Sequence, residues 1–446
     1  MATSKLRQGR AARRGLAALS AIALIGIVAG CSSTASTSTT GSTAAPSGTL
    51  NIVVSSADAS DAAFKAVNSA FEAKYPKVKV QFSAIPNNNY TAAKSSRLTA
   101  GNVDILIAAP TTVPKYVTTD SASDDSRAAD AGVFLDLSAE PFMKNFTPTL
   151  LKAIAYKGKQ YTAPTGVSYY TGVYYNKTMF DKLGLTIPTT WSEFVTLCDT
   201  LQKKGVSPLG IGGKDSWPAG LTMISAVQGL YPTQADKESL AQDLWQKKVT
   251  LTDSKTETVL DRVKQIYGFA EPNFAGVSYA AVPAGFAAEQ YAMTPDGTWD
   301  QPVIASAVGS KFSYGYFPIP TSDTAADNKY LGGKVDLRLA IASATKNKAA
   351  ALAYLGFFSD PKNYATYVKI SGTAPAEQNI PTSAFLDSIK NYTSTFSPAW
   401  DTLWIANSKA GATAVFPFNY PGIAPLGTGT VAAAAKQSQS DWAAGF

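Results

Sequence analysis

Apolar residues recur along this chain with two periods, and each change of period marks the boundary of an element. Leu50, Ile52, Val53 and Val54 form an apolar run, and Phe64, Val67, Phe71 and Tyr75 then follow at helical spacing until Pro76, which cannot continue a helix. Val78, Val80 and Phe82 alternate as a second strand. Residues 89–100 read as a helix ended by Gly101-Asn102, and 103–108 as an apolar strand carrying one charge, Asp104. A β-α-β-α-β order of this kind builds a parallel sheet with right-handed crossovers.

The most legible stretch is 161–205. Val167, Tyr169, Val173, Tyr174 and Tyr175 are β-formers separated by small residues and read as one strand, which Asn176-Lys177 turns into a short helix ended by Gly184. Thr190 and Glu193 have capping-box spacing, and Trp191, Phe194, Val195, Cys198 and Leu201 form the apolar stripe of the helix that follows, until Lys203, Lys204 and Gly205 stop it. Further helices are predicted over 218–230, 237–247, 256–269 and 347–358, with Asp360-Pro361 opening the next, and strands over 289–294 and 314–319. Residues 331–341 predict a single strand with Val335, Leu337, Leu339 and Ile341 on one face and Asp336, Arg338 and Ala340 on the other. The stretch 371–381 reads as loop, 111–132 as a solvated acidic loop without calcium-loop spacing, and the Gly- and Pro-rich segment beyond Trp404 predicts no element.

Composition changes this picture mainly at the N-terminus. The net charge of +7 falls to +2 once Lys5, Arg7, Arg10, Arg13 and Arg14 are set aside, so the basic balance gives no support to nucleic-acid binding. Those residues precede an apolar run over 15–30 that is shorter than the ~20 residues of a membrane span, which is the form of a secretory signal. Val28-Ala29-Gly30-Cys31 resembles a bacterial lipobox, in which Cys31 is acylated and becomes the first residue of a membrane-anchored protein. Residues 32–48 are almost all Ser, Thr, Ala and Gly, a flexible tether. The other cysteine, Cys198, lies on an apolar stripe and reads as core, and with Cys31 acylated no disulfide is available. The chain has no histidine, which excludes His-based triads and HExxH zinc sites, and neither Gly-Gly-Lys has the remainder of a phosphate loop.

Saccharide rings are held by aromatic faces stacked on their C–H faces, with carboxylates, amides and guanidinium groups on the hydroxyls. Asp215-Ser216-Trp217 and Asp296-Gly297-Thr298-Trp299 each place a Trp shortly after an Asp in a turn; the competing reading of each is a lid on the core. Tyr169 and Tyr170 point to opposite faces of their strand, so one faces the core and the other is free for a cleft. Asp336 and Arg338 share a face, where they pair with each other or reach a ligand. Trp400 and Trp404 lie four apart, which favours core packing.

The aromatic strand ending in Tyr175-Asn176-Lys177, the Leu183-Gly184-Leu185 end of the short helix, Pro188, and Thr190-Trp191 with Glu193-Phe194 resemble the extracellular sugar-binding proteins of ABC importers, the maltose-binding-protein group. Ala292-Met293 through Gly297 and Trp299 matches a second motif of that family, whose Trp stacks on sugar, and Trp217-Pro218 matches a third. The resemblance implies an α/β, two-lobed periplasmic-binding-protein-like fold, each lobe a mixed sheet flanked by helices, with discontinuous lobes and a hinge. The lobes are expected at 49–166 with 319–374 and at 167–318 with 375–446, and the loop at 372–375 suits a hinge strand. It further implies ligand contacts at Ser168 or Tyr169, at Lys214 to Ser216, and at Ser56 through Asp58 after the first strand. The Ile105 to Pro110 strand lacks the Trp and the Asp-Arg pair of maltose-binding proteins, so maltodextrin specificity does not carry over.

The expected protein is a monomeric, non-catalytic and cofactor-free carbohydrate binder that serves ABC permease subunits and meets the membrane through Cys31 alone. Two alternatives stay open. One is a secreted carbohydrate-active enzyme using two of Asp215, Asp296 and Asp336, which needs carboxylates ~5 to 9.5 Å apart in one cleft. The other is a surface adhesin, which needs no enclosed cleft.

Overall fold

The computed structural model describes residues 46–446 apart from position 415 and the side chain of Asp58. The signal segment, Cys31 and most of the tether lie outside the described residues. Among the described residues no helix is long and apolar enough to cross a membrane.

The chain is an α/β protein with its main sheets in two lobes. In the first, Gly48–Ser55 pairs in parallel with Val78–Ile85 on one side and Ile105–Ile107 on the other, as the N-terminal β-α-β-α-β pattern requires. Leu339–Ile341 returns antiparallel at the edge beside Ile105–Ile107. Leu50, Ile52 and Val54 on one face pack with Phe64 and Phe71 of the helix Asp58–Lys74 and with Tyr354, Tyr364 and Tyr367 of two later helices. On the other face Val53 and Leu106 pack with Tyr90, whose hydroxyl donates to the Ile107 carbonyl at 2.9 Å. The second large sheet runs in the order Ser207–Leu209, Tyr291–Asp296, Gly172–Asn176, Tyr314–Pro318, with parallel and antiparallel pairs. The capped helix Trp191–Lys203 closes its capping box and buries Trp191, Phe194, Cys198 and Leu201 against this lobe's core.

Two predicted strands are each divided in two. The aromatic run is Gly166–Tyr169 plus Gly172–Asn176, which belong to different sheets. The division falls where Thr171 Oγ1 accepts the Gly332 amide at 2.7 Å, and Gly172 follows because a Cβ there would lie 2.5 Å from the Tyr316 ring. The run 331–341 is Gly332–Asp336 plus Leu339–Ile341, broken at Leu337, whose φ of 31° interrupts the pleat while its amide donates to Asp336 Oδ1 at 3.0 Å. Gly332–Asp336 pairs with Gly166–Tyr169 and with Ser397–Pro398 in a small third sheet. Ala374 exchanges backbone hydrogen bonds with Val167 beside this sheet.

Other expectations change locally. The acidic loop contains the helix Asp124–Asp130, capped by Ser123, and Asp125 is tied to Lys94 at 2.5 Å instead of being solvated. The segment beyond Trp404 holds the helix Val431–Ala443, whose Trp442 packs against Trp404 and Trp245. Trp400 and Trp404 stack in the core at 5.3 Å.

Candidate functional site

Trp299 owes its position to the way its strand ends. Tyr291–Asp296 runs into Gly297, and a short 3-10 turn, Thr298–Asp300, follows. The Trp299 ring folds over Gly297 so closely that a Cβ there would lie 2.4 Å from it, which only glycine allows. The indole Nε1 donates to the Tyr279 hydroxyl at 3.0 Å, which fixes the ring. Trp217 opens the helix Trp217–Leu230, with Pro218 in its first turn, directly after Ser216 in a positive-φ conformation. Its ring lies 4.6 Å from Tyr279 and 6.3 Å from Trp299, and Tyr170 lies 5.4 Å from Trp299 on the other side. Four aromatic rings thus make one wall.

That wall borders a cavity of about 510 Å3. Asp215, Trp217, Tyr279, Trp299 and Asp300 face it from the second lobe, and Ser55, Ser56, Ser60, Asn87 and Asn88 from the first. Tyr170, Lys334, Asp336, Leu337 and Asp401 line it where the lobes join. The polar groups are held in place: Asp215 accepts the Tyr279 amide at 2.7 Å, Asp336 accepts the Ser168 hydroxyl at 2.7 Å, and Asp401 accepts the Tyr170 hydroxyl at 2.6 Å.

Lys334 is the cation among these acids, 3.5 Å from Asp336 and above the Tyr170 and Trp299 rings at 5.5 and 5.3 Å. Burial alone would lower the pKa of its ammonium, but the charges of Asp336 and Asp401 outweigh it and leave that pKa raised, so Lys334 stays charged. Burial raises Asp401, and the nearby Lys334 offsets this only in part.

The candidates from sequence separate clearly. Trp299, Trp217, Asp215, Asp336, Tyr170 and Ser56 line this one cavity. Tyr169 and Tyr170 do face opposite ways: Tyr169 packs in a separate apolar cluster, so it is Tyr170 that reaches the cavity. Ser168 is fully buried and acts on the wall through Asp336. Asp296 does not line the cavity; it is 1% exposed behind the aromatic wall, where it accepts from the Gly297 amide at 2.7 Å and the Tyr279 hydroxyl at 3.2 Å. Burial, and next the charge of Asp300, push its carboxyl well above the usual carboxylate range. Arg338 lines a second cavity and makes no ion pair with Asp336, because the turn at Leu337 sends the two side chains apart. The side chain of Asp58 lies outside the described residues. Sequence reasoning missed Tyr279, Lys334, Asp300 and Asp401. Lys334 had a usable signal, its register two residues before Asp336 on a strand, and Asp401 was hidden beside the core residue Trp400.

Among the described residues no group of three or more acidic, histidine or cysteine side chains is placed to hold a metal ion.

Compared with known proteins, the chain is 25% identical over 323 residues to a multiple sugar-binding protein of Streptococcus mutans, covering 72% of this chain and 73% of that one. Its fold matches the solute-binding protein RafE in complex with raffinose, with a TM-score of 0.71 at 24% identity over 89% of this chain and 99% of that one. It also matches a sugar transporter from Bacillus licheniformis in complex with stachyose, with a TM-score of 0.70 at 15% identity over 88% and 98% of the two chains. The family model of bacterial extracellular solute-binding proteins matches residues 55–365, and the chain belongs to that family.

Proposed function

We propose that the chain captures a saccharide between its two lobes and delivers it to the permease of an ABC importer. The observation that carries this reading is the cavity itself, where four aromatic rings stand beside fixed carboxylates and a lysine, the complement of a pyranose with its apolar and hydroxylated faces. Relatives named for sugar binding support the same ligand class. The first lobe adds serine and asparagine side chains that complete the contacts when the lobes close, so ligand favours the closed state. The crossing segments at 166–172, 332–339 and 372–376 act as the hinge.

In this reading the protein is a monomer and no catalyst. Asp215, Asp336 and Asp401 each hold a scaffold donor, and Asp296 is walled off behind Tyr279, so the acids orient rings and ligand hydroxyls. Acylation of Cys31 anchors the protein to the outer face of the cell membrane, with 32–48 as its tether. Replacing Cys31 by Ser should release the protein into the medium; unchanged membrane association would remove the anchor from the account. Thermal-shift measurements across a carbohydrate panel test the ligand class, and stabilisation by a peptide or a metal ion but by no saccharide would overturn it.

A further inference from the structure

The lobes enclose a second cavity, of about 860 Å3, on the far side of the strand Gly332–Asp336. Lys334 borders both cavities. The first lobe contributes the uncharged Pro110, Thr111 and Thr112, and the second lobe contributes Gln234 and Gln242. Its charged lining residues are Lys334, Glu238 and Arg338.

Arg338 is partly buried, and burial lowers its pKa against the opposing pull of Asp125, which still leaves a guanidinium charged throughout the physiological range. Asp125 is already committed: its oxygens take the Lys94 ammonium at 2.5 Å and the Ala109 amide at 2.8 Å. Among the described residues no side-chain hydrogen bond or ion pair reaches the Arg338 guanidinium. The one acidic residue on the cavity lining, Glu238, belongs to the opposite lobe and is exposed. A partly buried cation without a partner is costly, and its planar fork matches a carboxylate in two-point contact.

We propose that the second cavity takes an acidic sugar, a uronate whose carboxylate is held by Arg338. This rests on the saccharide reading above and extends it to acidic saccharides.

Calorimetric titration of the full chain tests it with size-matched pairs on several backbones: xylotriose against a glucuronosyl xylotriose, galactotriose against trigalacturonate, and glucose against glucuronate. The acidic member of at least one pair should bind roughly ten- to a hundredfold more tightly than its neutral partner. Arg338→Met should bring that ratio to within about twofold of one, while Arg338→Lys, which keeps the charge without the fork, should retain part of it. Circular dichroism melts identify a variant that fails to fold, and the wild-type ratio stands as a test by itself. Equal or better binding of the neutral members overturns the inference alone and leaves the saccharide reading standing. So does a ratio that survives Arg338→Met. So does equal weakening of a neutral sugar by Arg338→Met and Glu238→Gln, which would make the two residues a latch between lobes. Absence of binding by every saccharide overturns both readings.

Discussion

The two walls of the first cavity are built by different means. The second lobe presents Trp217, Tyr279 and Trp299: Trp299 donates to the Tyr279 hydroxyl, Tyr279 donates through that hydroxyl to Asp296 and through its backbone amide to Asp215, and the Trp217 ring packs on Tyr279 at 4.6 Å. The first lobe presents Ser56, Asn87 and Asn88, small polar side chains from the ends of strands and the start of a helix, both asparagines exposed. A rigid apolar wall can hold a sugar ring before the lobes close, because stacking needs no partner from across the cleft. Short hydroxyl and amide groups act only over a hydrogen bond, so on the proposed function the first lobe acts last and rewards closure. On the proposed function, the bulk of the affinity belongs to the second lobe, and the closing step to the first.

The comparison breaks most readily at Trp299. Trp299→Ala should weaken saccharide binding by about 2 to 4 kcal/mol, a loss of roughly thirty- to a thousandfold by calorimetry, while the melting temperature drops by only a few degrees. An unchanged affinity would show that the aromatic wall is not the seat of binding.

Smaller in size, and located where the lobes join, is the effect of Glu377. This side chain follows the crossing segment at 372–376, is 4% exposed, and neither carboxylate oxygen has a hydrogen-bond partner among the described residues. Burial, with the charge of Asp360 next, raises its pKa from 4.5 to about 8. The folded state therefore keeps a proton that the unfolded state releases. The associated stability is fully present below pH 4.5, declines as pH rises from 4.5 to 8, and is constant above that. Glu377→Gln should flatten this decline in pH-dependent melts and stabilise the protein by roughly 1 to 2 kcal/mol at pH 8. A wild-type melting temperature that rises across that window by way of Glu377 would contradict the assignment.

Ser56→Ala sharpens the other half of the comparison. With one closing hydrogen bond removed, affinity should fall only about three- to tenfold, with the loss appearing as faster ligand release in stopped-flow fluorescence. The smallest effect belongs to Asp296→Asn. The amide keeps an acceptor for Gly297 and Tyr279 and supplies a fixed donor towards Asp300, so neutral-pH affinity should stay within about twofold; a hundredfold loss would place Asp296 in direct contact with ligand.

Sequence carried the elements whose local and tertiary preferences agree. The first β-α-β-α-β unit, the capped helix Trp191–Lys203 and the core roles of Cys198 and Trp400 follow from periodicity and capping, which are local signals. It failed at the crossing strands for a physical reason. Alternation over 331–341 is unbroken in sequence, yet Leu337 adopts a positive φ because the chain there leaves one sheet for another, and nothing local to leucine announces that. The same turn separated Asp336 from Arg338, two residues that a continuous strand would have placed side by side. In the cavity, the tryptophans were legible because a large aromatic in a turn is conspicuous. Tyr279 and Asp401 were not, since their approach to Trp299 and Tyr170 depends on contacts made across 20 and 231 residues of chain.

Intrinsic tryptophan fluorescence tests the central claim most directly, because Trp217 and Trp299 report from the cavity wall itself. Titration of the wild-type chain with a panel of saccharides, alongside a peptide and a divalent cation, should give a saturable shift with at least one saccharide and with neither control, and Trp299→Ala should shrink it and move its midpoint to roughly thirty- to a thousandfold higher concentration. A saturable response to the peptide or the cation, with none to any saccharide, would contradict the account.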